Sequence, residues 1–96
     1  MELHEIPAAF QSKLRLAAIA ALISGPKDFT SLMKITAATA GNLGKQLELL
    51  ESDGYITSRK EFLSRRPKTT YELTVLGRET FLSYVALLER IVDKGQ

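Results

Sequence analysis

The chain has 96 residues, 45% hydrophobic and 25% charged, with a formal net charge of +2, a composition that fits one globular domain with a single modest core. It contains no cysteine, which excludes a disulfide framework, a thiolate metal site and a cysteine nucleophile, and points to a reducing, cytoplasmic setting. The opening MELHEIPAAF lacks the basic and apolar regions of a signal peptide, and the apolar run Leu16–Ile23 is too short to cross a bilayer, so neither export nor membrane insertion is expected.

Pro7 suits the first position of a helix, and the Ala- and Leu-rich stretch after it contains no Gly or Pro until Gly25, which predicts a first helix over about 8–24. Phe10, Leu14, Ala17, Ala18, Ala21 and Leu22 recur at spacings of three and four and form the core stripe. Leu16, Ile19, Ala20 and Ile23 fall outside it, so the helix has apolar surface for a second neighbour. Ser24-Gly25-Pro26 stops this helix. Asp28 can then cap a short second helix over about 29–36, with Leu32 and Ile35 facing inward. Thr39 caps a third over about 40–53, where Leu43, Leu47 and Leu50 share one face and the chain leaves the helix at Gly54. The start of this helix is uncharged or basic, whereas Glu48, Glu51 and Asp53 make its end acidic.

Two strand-like segments follow, YITSRKEF (55–62) and TTYELT (69–74), separated by LSRRPK. Phe62 and Leu63 are expected to close the first strand against the core, with Ser64–Lys68 as the turn. Residues 59–68 hold Arg59, Lys60, Arg65, Arg66 and Lys68 against Glu61 alone, a concentration of positive charge that suits an anionic partner. Thr74 caps a last helix over about 75–93, with Leu76, Phe81, Tyr84, Val85, Leu88, Ile91 and Val92 as apolar positions and Leu82 and Leu87 outside the main stripe. The surplus apolar surface on the first and last helices predicts a homodimer interface made of Leu16, Ile19, Ile23, Leu82, Tyr84, Leu87, Leu88 and Ile91.

The order is helix, helix, helix, hairpin, helix: a mainly α fold with a minor β part. GPKDFTSLMKIT, TAGNLGKQLELLESDGYI and RRPKTTYELTVLGRETF together resemble the compact winged helix-turn-helix transcriptional regulators related to MarR-type repressors, over residues 25–81. Gly44 and Gln46 depart from that pattern, which more often has Ser and His there. The resemblance implies three helices, a β-hairpin wing and a C-terminal dimerisation helix within a single domain over 1–96. It also implies that the third helix enters the major groove of double-stranded DNA while the wing meets the minor groove or backbone, with two copies on a pseudo-palindromic site.

On that reading Asn42 and Lys45 face base edges, Gln46 lies in the same DNA-binding face and Thr39 holds a phosphate, while Arg59, Arg65, Arg66, Lys68 and Thr69 form the wing contacts. A protein-interaction module and a non-specific architectural DNA binder remain the alternatives. A small-molecule effector is left open, and no cofactor is expected. The single histidine, His4, has no cluster of ligands around it, and no catalytic constellation or phosphate-cradling loop is present, so an enzyme is not expected.

Overall fold

In a computed structural model that describes residues 1–95, the first long helix starts later than Pro7 predicts. Two short 3-10 turns, Leu3–Glu5 and Ala8–Gln11, come first, and Ser12 interrupts the chain in an extended conformation. Its hydroxyl accepts a hydrogen bond from the Arg15 N–H at 3.3 Å and so caps α1, Lys13–Leu22. The buried face of α1 is Ala18, Ile19 and Leu22. Ile19, expected at an outer surface, has 0% exposure because α2, α3, β3 and α4 all pack on α1 and cover more of it than the expected stripe, of which Ala18 and Leu22 are buried too.

A strand of two residues, β1 (Lys27–Asp28), leads into α2, Phe29–Thr36, whose cap is Asp28 accepting from the Ser31 N–H at 2.8 Å. Leu32 is fully buried, but Ile35 stays 53% exposed, because nothing packs over the last turn of so short a helix. Ala37 turns the chain in the left-handed region (φ 56°), and its N–H reaches the Met33 carbonyl at 2.8 Å. Thr39 then caps α3, Ala40–Ser52, on which Leu43, Leu47 and Leu50 are buried as their spacing predicts. At its end Gly54 adopts φ 84°, the Gly54 N–H bonds to Glu51 O and the Tyr55 N–H to Leu50 O, each at 3.0 Å. This closing pattern requires a residue free to adopt a positive φ.

The hairpin consists of β2, Ile56–Leu63, and β3, Arg66–Leu73, and the antiparallel sheet has the order β1-β3-β2. β1 pairs Lys27 with Tyr71 and Asp28 with Thr70. Two residues carry no alternation, so the sequence gives no sign of this third strand. The turn is also tighter than predicted. Ser64 and Arg65 alone form it, with φ 52° and 67°, the type I′ pattern that matches strand twist. Arg66, Pro67 and Lys68 therefore belong to β3. Pro67 faces Phe62 next to the hydrogen-bonded Leu63–Arg66 pair, at a position where its missing N–H points away from β2 and beyond the reach of β1.

α4, Val75–Lys94, is joined to the end of α3 at one crowded point. Thr74 Oγ1 accepts from the Gly77 N–H at 3.0 Å and donates to the Gly54 carbonyl at 2.7 Å, and the Thr74 N–H donates to Tyr55 O at 3.0 Å. A Cβ at position 77 would lie 2.1 Å from the Tyr55 carbonyl oxygen. Phe10 packs beside this junction against Tyr84, Tyr55 and Phe81, with ring centroids 5.2, 6.0 and 6.3 Å away. Further along α4, Leu87 is buried within the chain itself, on the stretch where Arg90 donates to the Met1 carbonyl at 2.7 Å.

Gly77→Ala should lower the unfolding free energy by about 2 kcal/mol or more, since backbone rather than a flexible side chain blocks the new methyl. Urea titration followed by circular dichroism checks it. Hydrogen bonding from Ser31 holds the Asp28 carboxyl below its ordinary value of 3.8, and Lys68 and Lys34 act in the same direction. Its contribution to stability is thus complete above that value and is lost as pH falls through the depressed one. Asp28→Ala should remove about 1 kcal/mol at neutral pH. Asp28→Asn still caps, and should retain more stability while flattening its acid dependence in the same titration.

Candidate nucleic-acid interface

α3 lies against the inner face of the hairpin, so what it presents outward is set by the leucine stripe on its other side. Asn42 and Lys45 are exposed in its first two turns, and Gln46 is half-buried, donating to Asn42 Oδ1 at 3.4 Å. The Thr39 oxygen accepts from the Asn42 N–H at 3.3 Å, which leaves its hydroxyl proton free to donate outward. Among the described residues no carboxylate stands within ion-pair distance of Lys45. The Gly44 position is ordinary contact distance from Phe29, 4.0 Å from an ideal Cβ to the ring, so close approach does not demand the glycine here.

The acidic end of α3 is turned to structural use. Glu51 accepts from the Ser58 N–H at 3.2 Å and from the Ser58 hydroxyl at 3.1 and 3.0 Å, fixing the root of β2 to the helix. Tyr71 stands opposite Ser58. Burial pushes its phenol up, and the neighbouring Glu51 and Glu48 push the same way. These contacts define which face of the wing continues the surface of α3. Strand alternation from the buried Ile56 puts Ser58, Lys60 and Phe62 on that face, opposite Leu73, Tyr71, Thr69 and Pro67, and leaves Arg59 and Glu61 on the other.

The wing cations consequently differ in availability. Arg59 Nε donates to Glu61 Oε1 at 2.6 Å, and Lys68 lies 3.8 Å from Asp28 Oδ2, which ties the return strand to the start of α2. Arg65 and Arg66 are exposed at the tip, while Lys60 projects on the α3 side beside half-buried Thr69. Lys60 belongs to the basic stretch 59–68 but not to the expected wing contacts, although counting alternate positions from Ile56 is enough to find its side. Phe62 and Leu63 do not close on the core. They are 79% and 51% exposed, because the hairpin extends past the helices before it turns.

The expected dimer surface divides in a similar way. Leu82, Leu88 and Ile91 are exposed on α4 and Leu16 and Ile23 are half-covered on or beside α1, whereas Ile19 and Leu87 are enclosed within the single chain and Tyr84 is partly engaged with Phe10. A shallow apolar groove runs between α1 and α4, lined by Leu16, Ala17, Ala20, Phe81, Tyr84, Val85 and Leu88 with Lys13 at its edge. Among the described residues no group of three or more His, Asp or Glu could hold a metal, and no helix is long and apolar enough to cross a membrane.

A capped pair of short helices, a third helix with an open polar face and a hairpin fixed to its side define a winged helix-turn-helix. The model of the winged helix DNA-binding domain matches residues 14–92, and the chain belongs to that family. Among solved structures it is similar to a transcriptional regulator homologue from Pyrococcus horikoshii OT3, 26% identical with a TM-score of 0.85 over 96% of this chain and 94% of that one. A MarR-family transcriptional regulator from Enterococcus faecalis V583 shares the fold at 24% identity and a TM-score of 0.78, with 92% and 83% of the two chains covered. Bacillus subtilis PadR, solved in complex with operator DNA, shares it at 19% identity and a TM-score of 0.71, over 78% of this chain and 48% of PadR. No curated protein matches the chain.

Glu51→Ala should cost no more than about 1 kcal/mol of stability, since the bonds it makes are solvent-exposed, yet should speed amide exchange at Ser58 relative to buried Ile56. Equal protection in the variant and the parent would show that Glu51 does not hold the strand.

Proposed function

We propose that the protein is a cytoplasmic transcriptional regulator that binds double-stranded DNA of defined sequence as a homodimer and represses by occupying a promoter. The observation that carries this reading is the exposed polar N-terminal half of α3 beside a basic wing whose root is joined to the same helix by Glu51 and Ser58. α3 would enter the major groove with its N-terminal end leading, the end where backbone N–H groups and the helix dipole favour phosphate. Asn42 and Lys45 would read base edges, Asn pairing best with adenine and Lys with guanine. Thr39 would hold a phosphate, Gln46 would support Asn42, and Lys60, Arg65 and Arg66 would supply most of the wing's attraction for the backbone, with Arg59, Lys68 and Thr69 beside them. The proposed role is binding rather than catalysis.

A homodimer fits the groove between α1 and α4, where Leu16 and Leu88 offer apolar surface that a second copy would cover. Two recognition helices related by a two-fold axis would then meet successive major grooves on one side of the duplex. The transcriptional regulators of similar fold support the same direction of inference, and the PadR complex shows that fold on operator DNA.

Selection from a random pool of duplexes should yield a pseudo-palindromic site. Lys45→Ala should relax preference at one base position, with a loss of about 1–3 kcal/mol for the favoured base. Arg65→Ala with Arg66→Ala should instead weaken all sequences alike and reduce the salt slope by about 1 for each phosphate contact removed. Leu88→Glu should leave the circular dichroism spectrum unchanged and halve the mass in sedimentation equilibrium. Wild-type binding by the double arginine variant at about 150 mM salt, a physiological ionic strength, would remove the wing from the proposed interface.

A further inference from the structure

Phe62 is the most exposed large apolar side chain among those described, at 79%, and the fold gives it nothing to pack on. It stands four residues beyond Ser58, where Glu51 holds the strand, which places it about 13 Å past that attachment at ~3.3 Å per residue. Its cross-strand neighbour is Pro67, on the same face of the hairpin; the turn beyond them carries Arg65, and Arg66 opens β3 on the opposite face. Lys60 lies one alternate position back on the face of Phe62, and among the described residues none of these three cations has a carboxylate within ion-pair distance. The tip is therefore an aromatic ring and a proline framed by free positive charge.

That combination is unsuited to solvent and specific about what could cover it. A groove whose walls are phosphates and whose floor is sugar and base would satisfy the cations and the ring together. Resting on the DNA-binding reading, we infer that Phe62 is a minor-groove wedge: its ring presses between two base pairs, Pro67 stiffens the strand behind it, and Arg65 and Arg66 hold the flanking phosphates. Such a wedge partly unstacks one step and bends the duplex toward the major groove. It follows that the protein discriminates at a position where it makes no hydrogen bond to a base. Pyrimidine–purine steps such as TA or CA unstack most readily and are the steps it selects.

The test uses the full chain and an end-labelled duplex carrying the sequence selected from a random pool, with bending read by energy transfer between the ends. Phe62→Ala should weaken binding about tenfold or more, abolish the preference for a flexible step under the wing and straighten the duplex, while leaving the salt slope as in the parent. Phe62→Trp should keep both affinity and bend. Because the side chain is exposed, thermal melting of Phe62→Ala should match the parent, which separates a lost contact from a lost fold. Equal affinity and bend in Phe62→Ala and parent overturn the wedge and leave the DNA-binding reading standing. So does a fall in assembly mass with DNA binding intact, which would mean that the ring covers a second copy. Failure of the parent to bind any duplex at low salt overturns both.

Discussion

The close passage of α4 over the Tyr55 carbonyl is the constraint on which the arrangement depends. Thr74 and Gly77 cap α4 directly onto the residues that end α3, so the exit of α3 and the return of the wing are fastened at one point. Only glycine permits the 77 position to come so near a backbone oxygen. Ile56 enters the core one residue after Tyr55, and the strand's register with β3 follows from there. The hairpin thus inherits its direction from a junction that is itself part of the core.

From that root the charges sort themselves by side. Acidic residues at the end of α3 would oppose a polyanion if they were free, but Glu51 is committed to Ser58 and lies with Glu48 near the Tyr71 phenol. Glu61 and Asp28 similarly engage Arg59 and Lys68, so the wing cations split into a set that maintains the scaffold and a set left to solvent. The pairs are surface-exposed and contribute little to stability. Their effect is to decide which positive charges remain available, and these sit at the tip and along the edge that continues α3.

Much of this was legible in the sequence because it depends on local chemistry. The caps at Asp28, Thr39 and Thr74, the Leu43, Leu47, Leu50 stripe and the stop at Gly54 all stand where residue type and spacing put them. What was hidden depends on tertiary context. Lys27–Asp28 becomes a strand only because β3 arrives beside it, and Ser12 displaces Pro7 as the start of α1 through a cap that competes with a good helix-forming run. Pro67 makes Ser64–Lys68 resemble a five-residue loop in sequence, whereas a proline facing outward from an uncovered stretch of strand does no harm to pairing. Ile19 and Leu87 have the spacing of outer-surface residues, and their burial reflects neighbours that no window of sequence contains.

The span between the Ser58 attachment and the turn behaves as a lever. With the pivot at the helix and an arm of about 13 Å, a rotation of roughly ten degrees at the root displaces the tip by about 2 Å. The bonds from Glu51 to Ser58 and the tie between Lys68 and Asp28 brace the arm from its two faces. Few and exposed as they are, they join the arm to α3 on one side and to the start of α2 on the other, short of its uncovered tip.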